Sequence, residues 1–277
     1  MAARVQSSSA AIPETEGAPL HQSGRVYPKV GIIIDGGVGN QLNAWKIGSH
    51  SVVSPEHQQL DHGSFMAGLL VAGQQLNGTA VCNEADGCEL FDIGVLPDSD
   101  QQLAFETYYP KGVVDFLEEL DAGVEIASRD HDIRIFNMSL NVMEPVESDS
   151  YGVVASLIDR IADKHDVVLV ISAGNLRPAD WRAEWSVDPQ VGLQHLASRT
   201  VIETLLQPAE SSRCVTVGAP NPPGCAPRVG GAPTTYTRRG PGLRVGVKPD
   251  VSHFGGASDI EVVTSIGTPA CLAAGRK

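Results

Sequence analysis

Short apolar runs alternate with amphipathic stretches along this chain. Val30-Gly31-Ile32-Ile33-Ile34 is a continuous, mostly β-branched run that stops at Asp35-Gly36-Gly37, which predicts a buried parallel strand closed by a tight turn. Residues 61–73 then place small and apolar side chains behind His62 in the pattern of a buried helix. Residues 88–96 alternate as a strand, and Val113, Val114, Phe116, Leu117, Leu120 and Val124 recur at helical spacing. Residues 133–140 read as the next strand, and Val153, Val154, Leu157, Ile158 and Ile161 mark the next helix. Strands follow at 167–175 and 214–218, with a last short one at 260–265. Between them, residues 218–246 are dense in Pro, Gly and Arg and predict loop or extended connection. Strands alternating with amphipathic helices imply right-handed crossovers, so the fold class is α/β: a mostly parallel sheet with helices on both faces.

Residues 1–26 have neither period and are rich in Ser, Ala, Pro, Glu and Gln, so they read as a disordered arm ahead of one domain over 27–277. They contain no apolar run of secretory-signal length, and no stretch of the chain approaches the ~20 apolar residues of a membrane span. The net charge of -13, with no basic run longer than Arg238-Arg239, argues against a nucleic-acid or anionic-membrane partner. Five cysteines form no CxxC or Cys/His metal pattern. Cys82 and Cys88 are near enough in sequence to bridge, but reduced thiols in a cytoplasmic protein are the expectation. The residues suggest no cofactor and no metal site.

Chemistry gathers at three places. Asp35 ends a strand, where open α/β sheets carry their ligands. His62 stands in the first turn of its helix, and Asn175 ends another strand. A carboxylate can orient an imidazole, the imidazole can take a proton from a hydroxyl, and an amide can donate to a developing oxyanion, so together these are parts of an acyl-transfer site. Taken singly, Asp35 and Asn175 also suit the ordinary task of capping a turn beside glycine. A dinucleotide loop at Gly37-Val38-Gly39 lacks its third glycine, with Leu42 in that place.

From about Val30 onward the chain resembles the subtilisin-type serine proteases. GIIIDGGV resembles the family's aspartate strand, HGSFMAG its histidine motif, NMSL (residues 137–140) the strand lining the substrate cleft, and SAGN (172–175) the segment with the oxyanion amide. Tyr236-Thr237-Arg238-Arg239-Gly240 and Lys248-Pro249-Asp250-Val251 resemble two further landmarks. The resemblance implies a serine endopeptidase in which Asp35 orients the base, His62 is general base and then acid, and Asn175 donates to the oxyanion. Ser139 and Leu140 would offer backbone to an extended peptide substrate. Asn141 stands where the family commonly has glycine, implying a narrower or more polar side-chain pocket.

The nucleophile motif Gly-Thr-Ser is missing from the 277 residues. In one register Gly267-Thr268-Pro269 replaces it. In the other, which we favour, residues 270–274 lead into it and Arg276-Lys277 follow Gly275 in place of Thr-Ser. The expectation is therefore a subtilisin-like domain incomplete at its C-terminus, lacking the nucleophile and its helix, with a non-catalytic peptide-binding protein as the alternative.

Overall fold

The β-branched run after Tyr27 forms β1 (Lys29–Ile33), whose last residues are wholly buried. The computed structural model describes residues 18–34, 36–80, 82–98, 102–243 and 246–255. Among them six further strands join β1: β2 (Lys46–Ser51), β3 (Glu89–Gly94), β4 (Ile135–Met138), β5 (Val168–Ser172), β6 (Val215–Gly218) and β7 (Val251–Ser252). All pairings are parallel, in the order β2-β3-β1-β4-β5-β6-β7. The connecting helices are α1 (Asp61–Asn77), α2 (Gln102–Tyr108), α3 (Val113–Asp130), α4 (Val153–His165) and α5 (Pro189–Ala197).

Alternation along the strands divides the core. Ile33, Phe91, Ile93, Phe136, Met138, Leu169 and Ile171 pack with Leu120 and Val124 of α3 and Ile158 and Ala162 of α4. Ile32, Ile34 and Leu90 face the other way, onto Ala67 and Val71 of α1. Helices thus lie on both faces, as the alternation of elements predicts. On the α1 face, however, Ile135 and Val168 are 50% and 41% exposed, so the described residues leave the starts of β4 and β5 uncovered there.

Four elements escape the hydrophobic pattern: β2, α2, α5 and the two-residue β7. β2 is an edge strand, half-buried along most of its length, and therefore needs no clean alternation. α5 does carry a start signal, since the Asp188 side chain accepts from the Gln190 amide at 2.9 Å with Pro189 at the first helical position. The strand expected at 260–265 lies outside the described residues. Ahead of β1, the Trp45 indole donates to the Pro19 carbonyl at 3.0 Å, and the His21 ring lies 4.9 Å from both Tyr27 and Trp45. Cys82, Cys88, Cys214 and Cys225 are free thiols.

The crossover order puts a switch point beside β1: the chain leaves it for β2 and β3 on one side and returns to β4 on the other, opening a crevice at the strands' carboxyl ends. The turn after β1 is held from three directions. A methyl group at Gly63 of α1 would stand 2.2 Å from the Gly37 carbonyl oxygen, so helix and turn meet backbone to backbone. The Gly39 amide donates to Ser64 Oγ at 2.8 Å, and that hydroxyl donates to the Leu60 carbonyl at 2.5 Å. From below, Asp92 of β3 accepts the Val38 amide at 2.9 Å, while Lys46 Nζ donates to the Val38 carbonyl at 3.0 Å and lies 3.9 Å from the carboxylate. Burial pushes the Asp92 carboxyl up to about 6, against the opposing pull of the Val38 amide and Lys46.

Two outcomes follow from this turn. Gly63→Ala should lower stability by about 2–3 kcal/mol, because neither backbone can yield; urea unfolding of the variant and parent measures it. For Asp92, a folded-state pKa above the unfolded one means that the folded chain binds the proton more tightly, so this group's stabilising contribution is present below pH ~4 and lost as pH rises towards 6. Asp92→Asn, which can still accept from Val38, should gain about 2–3 kcal/mol relative to the parent between pH 4 and pH 7. Parallel denaturation curves at the two pH values would contradict it.

Candidate functional site

His62 is the second residue of α1 and is half-buried, with Gly63 directly behind it against the β1 turn. Asp35 lies outside the described residues. Ile34 is fully buried, its carbonyl accepts the Gly37 amide at 3.3 Å, and the Gly36 amide donates to the Gln59 carbonyl at 3.2 Å. The start of the His62 helix is therefore docked on the turn that follows Asp35.

Asn175 follows β5 through Gly174, whose φ of +89° is a left-handed conformation that glycine adopts without strain. Its backbone is pinned from the 236–238 segment. The Leu176 amide donates to the Tyr236 carbonyl at 2.7 Å, the Arg238 amide to the Gly174 carbonyl at 3.1 Å, and Arg238 Nε to the Asn175 carbonyl at 3.0 Å. Asn175 itself is half-buried. β1 and β5 are two strands apart, so their carboxyl ends are separated by roughly 10 Å, and the end of β4 lies between them.

That intervening end carries Ser139 and Leu140. Ser139 is half-buried, its hydroxyl donating to Asn137 Oδ1 at 2.8 Å, and Leu140 is buried in the α3–α4 core. Asn141 is closed off: its amide donates to the Ser172 carbonyl at 3.1 Å and its Oδ1 accepts from the Ser172 hydroxyl at 2.5 Å.

Sequence reasoning missed the groups that brace this edge. Arg238, in a loop that reads as surface, is buried, and its guanidinium also donates to the Thr204 and Ile202 carbonyls at 2.7 and 3.3 Å. Beside it Glu203, its side chain 2% exposed, binds Arg182 at 3.3 Å, Arg239 at 2.9 Å and Arg199. Burial, above all, lowers the pKa of both Arg182 and Arg238. A clue was available: paired arginines in a strongly acidic chain, set in a Pro/Gly-rich loop whose carbonyls need donors. Asp92 was likewise hidden, because a polar residue in an alternating strand reads as solvent-facing.

The dinucleotide reading fails on the same turn. The Val38 and Gly39 amides, which would have to face a phosphate, are spent on Asp92 and Ser64. The chain continues as a 3-10 turn (Asn40–Trp45) with Leu42 fully buried. Among the described residues no three His, Cys, Asp or Glu side chains are grouped to hold a metal. At the carboxyl edge the start of the His62 helix thus lies by β1, Asn175 follows β5, and the end of β4 lies between.

Comparison with solved structures returns proteases. The MycP3 protease of the type VII (ESX-3) secretion system matches with a TM-score of 0.51 and 19% identity, over 90% of this chain and 68% of that one. The Staphylococcus aureus epidermin leader peptide processing serine protease matches with 0.47 and 16%, over 87% and 53%. The self-cleaved protease domain of PatA matches with 0.42 and 18%, over 77% and 62%. This chain thus spans between about half and two thirds of their lengths. A search of curated protein sequences gives no match. The peptidase S8 family profile, by contrast, matches residues 39–273, a span that includes His62, Asn175 and the 139–141 segment and begins just after Asp35. With most of its length matched in this way, the chain belongs to the subtilase family.

Proposed function

We propose that this domain hydrolyses peptide bonds through a seryl acyl-enzyme, with His62 as general base and acid, Asp35 orienting it, and Asn175 donating to the oxyanion. The observation that carries the reading is the meeting at one carboxyl edge of the His62 helix, the turn after Asp35 and the braced Asn175 strand end. A peptide laid along Ser139 and Leu140 would present its carbonyl between imidazole and amide. The imidazole accepts the proton of a serine hydroxyl as that oxygen bonds to the carbonyl carbon, and the carbonyl's electron pair moves to an oxygen held by the Asn175 amide. When the pair returns, the C–N bond breaks and the imidazolium gives its proton to the leaving amine. Water then repeats the sequence on the ester. The free thiols support a reducing, cytoplasmic setting.

The serine is the part that the described residues do not supply, and no Gly-Thr-Ser occurs in the 277 residues. That observation favours a second reading, a peptide-binding protein without catalysis. The two readings separate on one pair of proteins. The 277-residue polypeptide should remain unlabelled by a fluorophosphonate probe, whereas a version continued with Thr-Ser and a following helix should label and cleave casein. Labelling of the shorter chain at Ser265 would reverse the assignment.

In the continued protein, His62→Ala should reduce kcat by about as much as removing the added serine, because the two act as one unit. Asn175→Ala should cost ~10²–10³ in kcat, the magnitude that loss of the oxyanion amide has in subtilisin itself. Cleavage undiminished by His62→Ala would remove the catalytic assignment and leave peptide binding.

A further inference from the structure

The gap between the ends of β4 and β5, beside Asn175, is occupied by the protein's own side chains. If the Asn175 amide holds the carbonyl oxygen of the residue to be cleaved, and the peptide backbone follows residues 139–141, the residue's side chain must enter between the extensions of β4 and β5. These are neighbouring strands, about 4.8 Å apart where they pair. Asn141 lies across the gap with its amide on the Ser172 carbonyl at 3.1 Å and the Leu206 carbonyl at 3.5 Å, and its oxygen on the Ser172 hydroxyl. Leu206, 2% exposed, fills what remains. A methyl group on Gly174 would meet Leu206 Cγ, Cβ and Cδ1 at 2.8–2.9 Å, so this leucine packs directly on the residue before Asn175.

Neither group can swing away. The Leu206 amide donates to the Ala173 carbonyl at 3.2 Å, the Gln207 amide to the Glu144 carbonyl at 3.0 Å, and the Val142 amide to the Gln207 carbonyl at 2.9 Å. The segment carrying Leu206 is thereby stitched to both walls of the gap. Asn141 is buried with both ends of its amide satisfied.

We propose that Leu206 and Asn141 restrict the substrate to glycine or alanine at the residue whose carbonyl is attacked. This rests on the peptide-cleft reading above. A hydrogen or a methyl can lie over the filled gap; a leucine or phenylalanine side chain has to displace packed atoms. Each methylene in such a pocket is worth ~10–200-fold in discrimination, so small over large should reach at least ~100-fold.

Binding of product-like peptides tests this without a nucleophile. Acetyl-Ala-Ala-Gly and acetyl-Ala-Ala-Phe, as free carboxylates, are titrated into the 277-residue chain while the Asn175 side-chain amide is followed by NMR. The glycine peptide should bind at least ~100-fold more tightly than the phenylalanine peptide. Leu206→Ala keeps the backbone bond to Ala173 and should raise affinity for the phenylalanine peptide at least tenfold. Equal affinity of the parent chain for both peptides overturns the proposal and leaves the cleft reading intact. If the parent chain binds neither peptide and the Asn175 amide does not shift, the cleft reading falls and takes this inference with it.

Discussion

The backbone contact between Gly63 and the Gly37 carbonyl is the constraint on which the carboxyl edge depends. It brings an α-helix and the end of a central strand closer than any side chain would allow, so the direction in which His62 points is set by main-chain sterics and not by a flexible side-chain contact. The neighbouring groups reinforce that choice. Ser64 ties the helix to Gly39, and Asp92 ties Val38 to the adjacent strand. A buried carboxylate is a costly way to hold one amide, as its raised pKa records. Its position explains why it is tolerated: Gly37, with φ of +122°, passes so close to both carboxylate oxygens that a methyl group there would lie 3.1 Å from each.

The fold was legible in the sequence where burial was complete on at least one face. β1, β3, β4, β5 and β6, and the helices α1, α3 and α4, all advertise themselves by runs or periods of apolar residues. β2 does not, because an edge strand with residues such as Lys46, Ser49 and Ser51 is half in water. Of the candidate site, His62 and Asn175 were read from their chemistry at element ends, and Ser139 and Leu140 from resemblance to family motifs. The structure brings the His62 helix and the β1 turn together and sets Asn175 across the crevice. Asp35 and the residues around Gly275 lie outside what is described. Asp92, Glu203 and Arg238 were invisible for a common reason: each is a charged side chain made tolerable by partners distant in sequence, and no local pattern announces such a partner.

Arg238 and Glu203 also show how a loop-built wall is made rigid. Residues 199–209 and 234–240 run without helix or extended ladder, so their carbonyls need donors from elsewhere. One guanidinium serves Asn175, Ile202 and Thr204 at once, and Glu203 gathers three further arginines around a single carboxylate. In a chain of net charge -13 this local excess of cations is conspicuous, and its cost in desolvation is visible in the lowered pKa values of Arg182 and Arg238. Removing one member of such a cluster leaves the others buried and under-paired, which is far more damaging than the net worth of the pair. The Asn175 strand end therefore inherits its position from charges distant in sequence.

The same economy of parts links selectivity to rigidity. The 205–207 segment closes the gap between the β4 and β5 extensions with three main-chain hydrogen bonds, to Ala173, Glu144 and Val142, and Leu206 fills the space that those bonds enclose. A larger pocket could not be carved there by retracting the segment, because retraction would strip the Ala173 carbonyl of its donor one residue before Gly174. It could be made only by shortening the side chain at 206 or 141 in place. Shortening Asn141 would in turn take from the half-buried Ser172 hydroxyl the acceptor it has at 2.5 Å. Of the two, Leu206 is the position whose side chain can be shortened while the main-chain hydrogen bonds beside Asn175 stay in place.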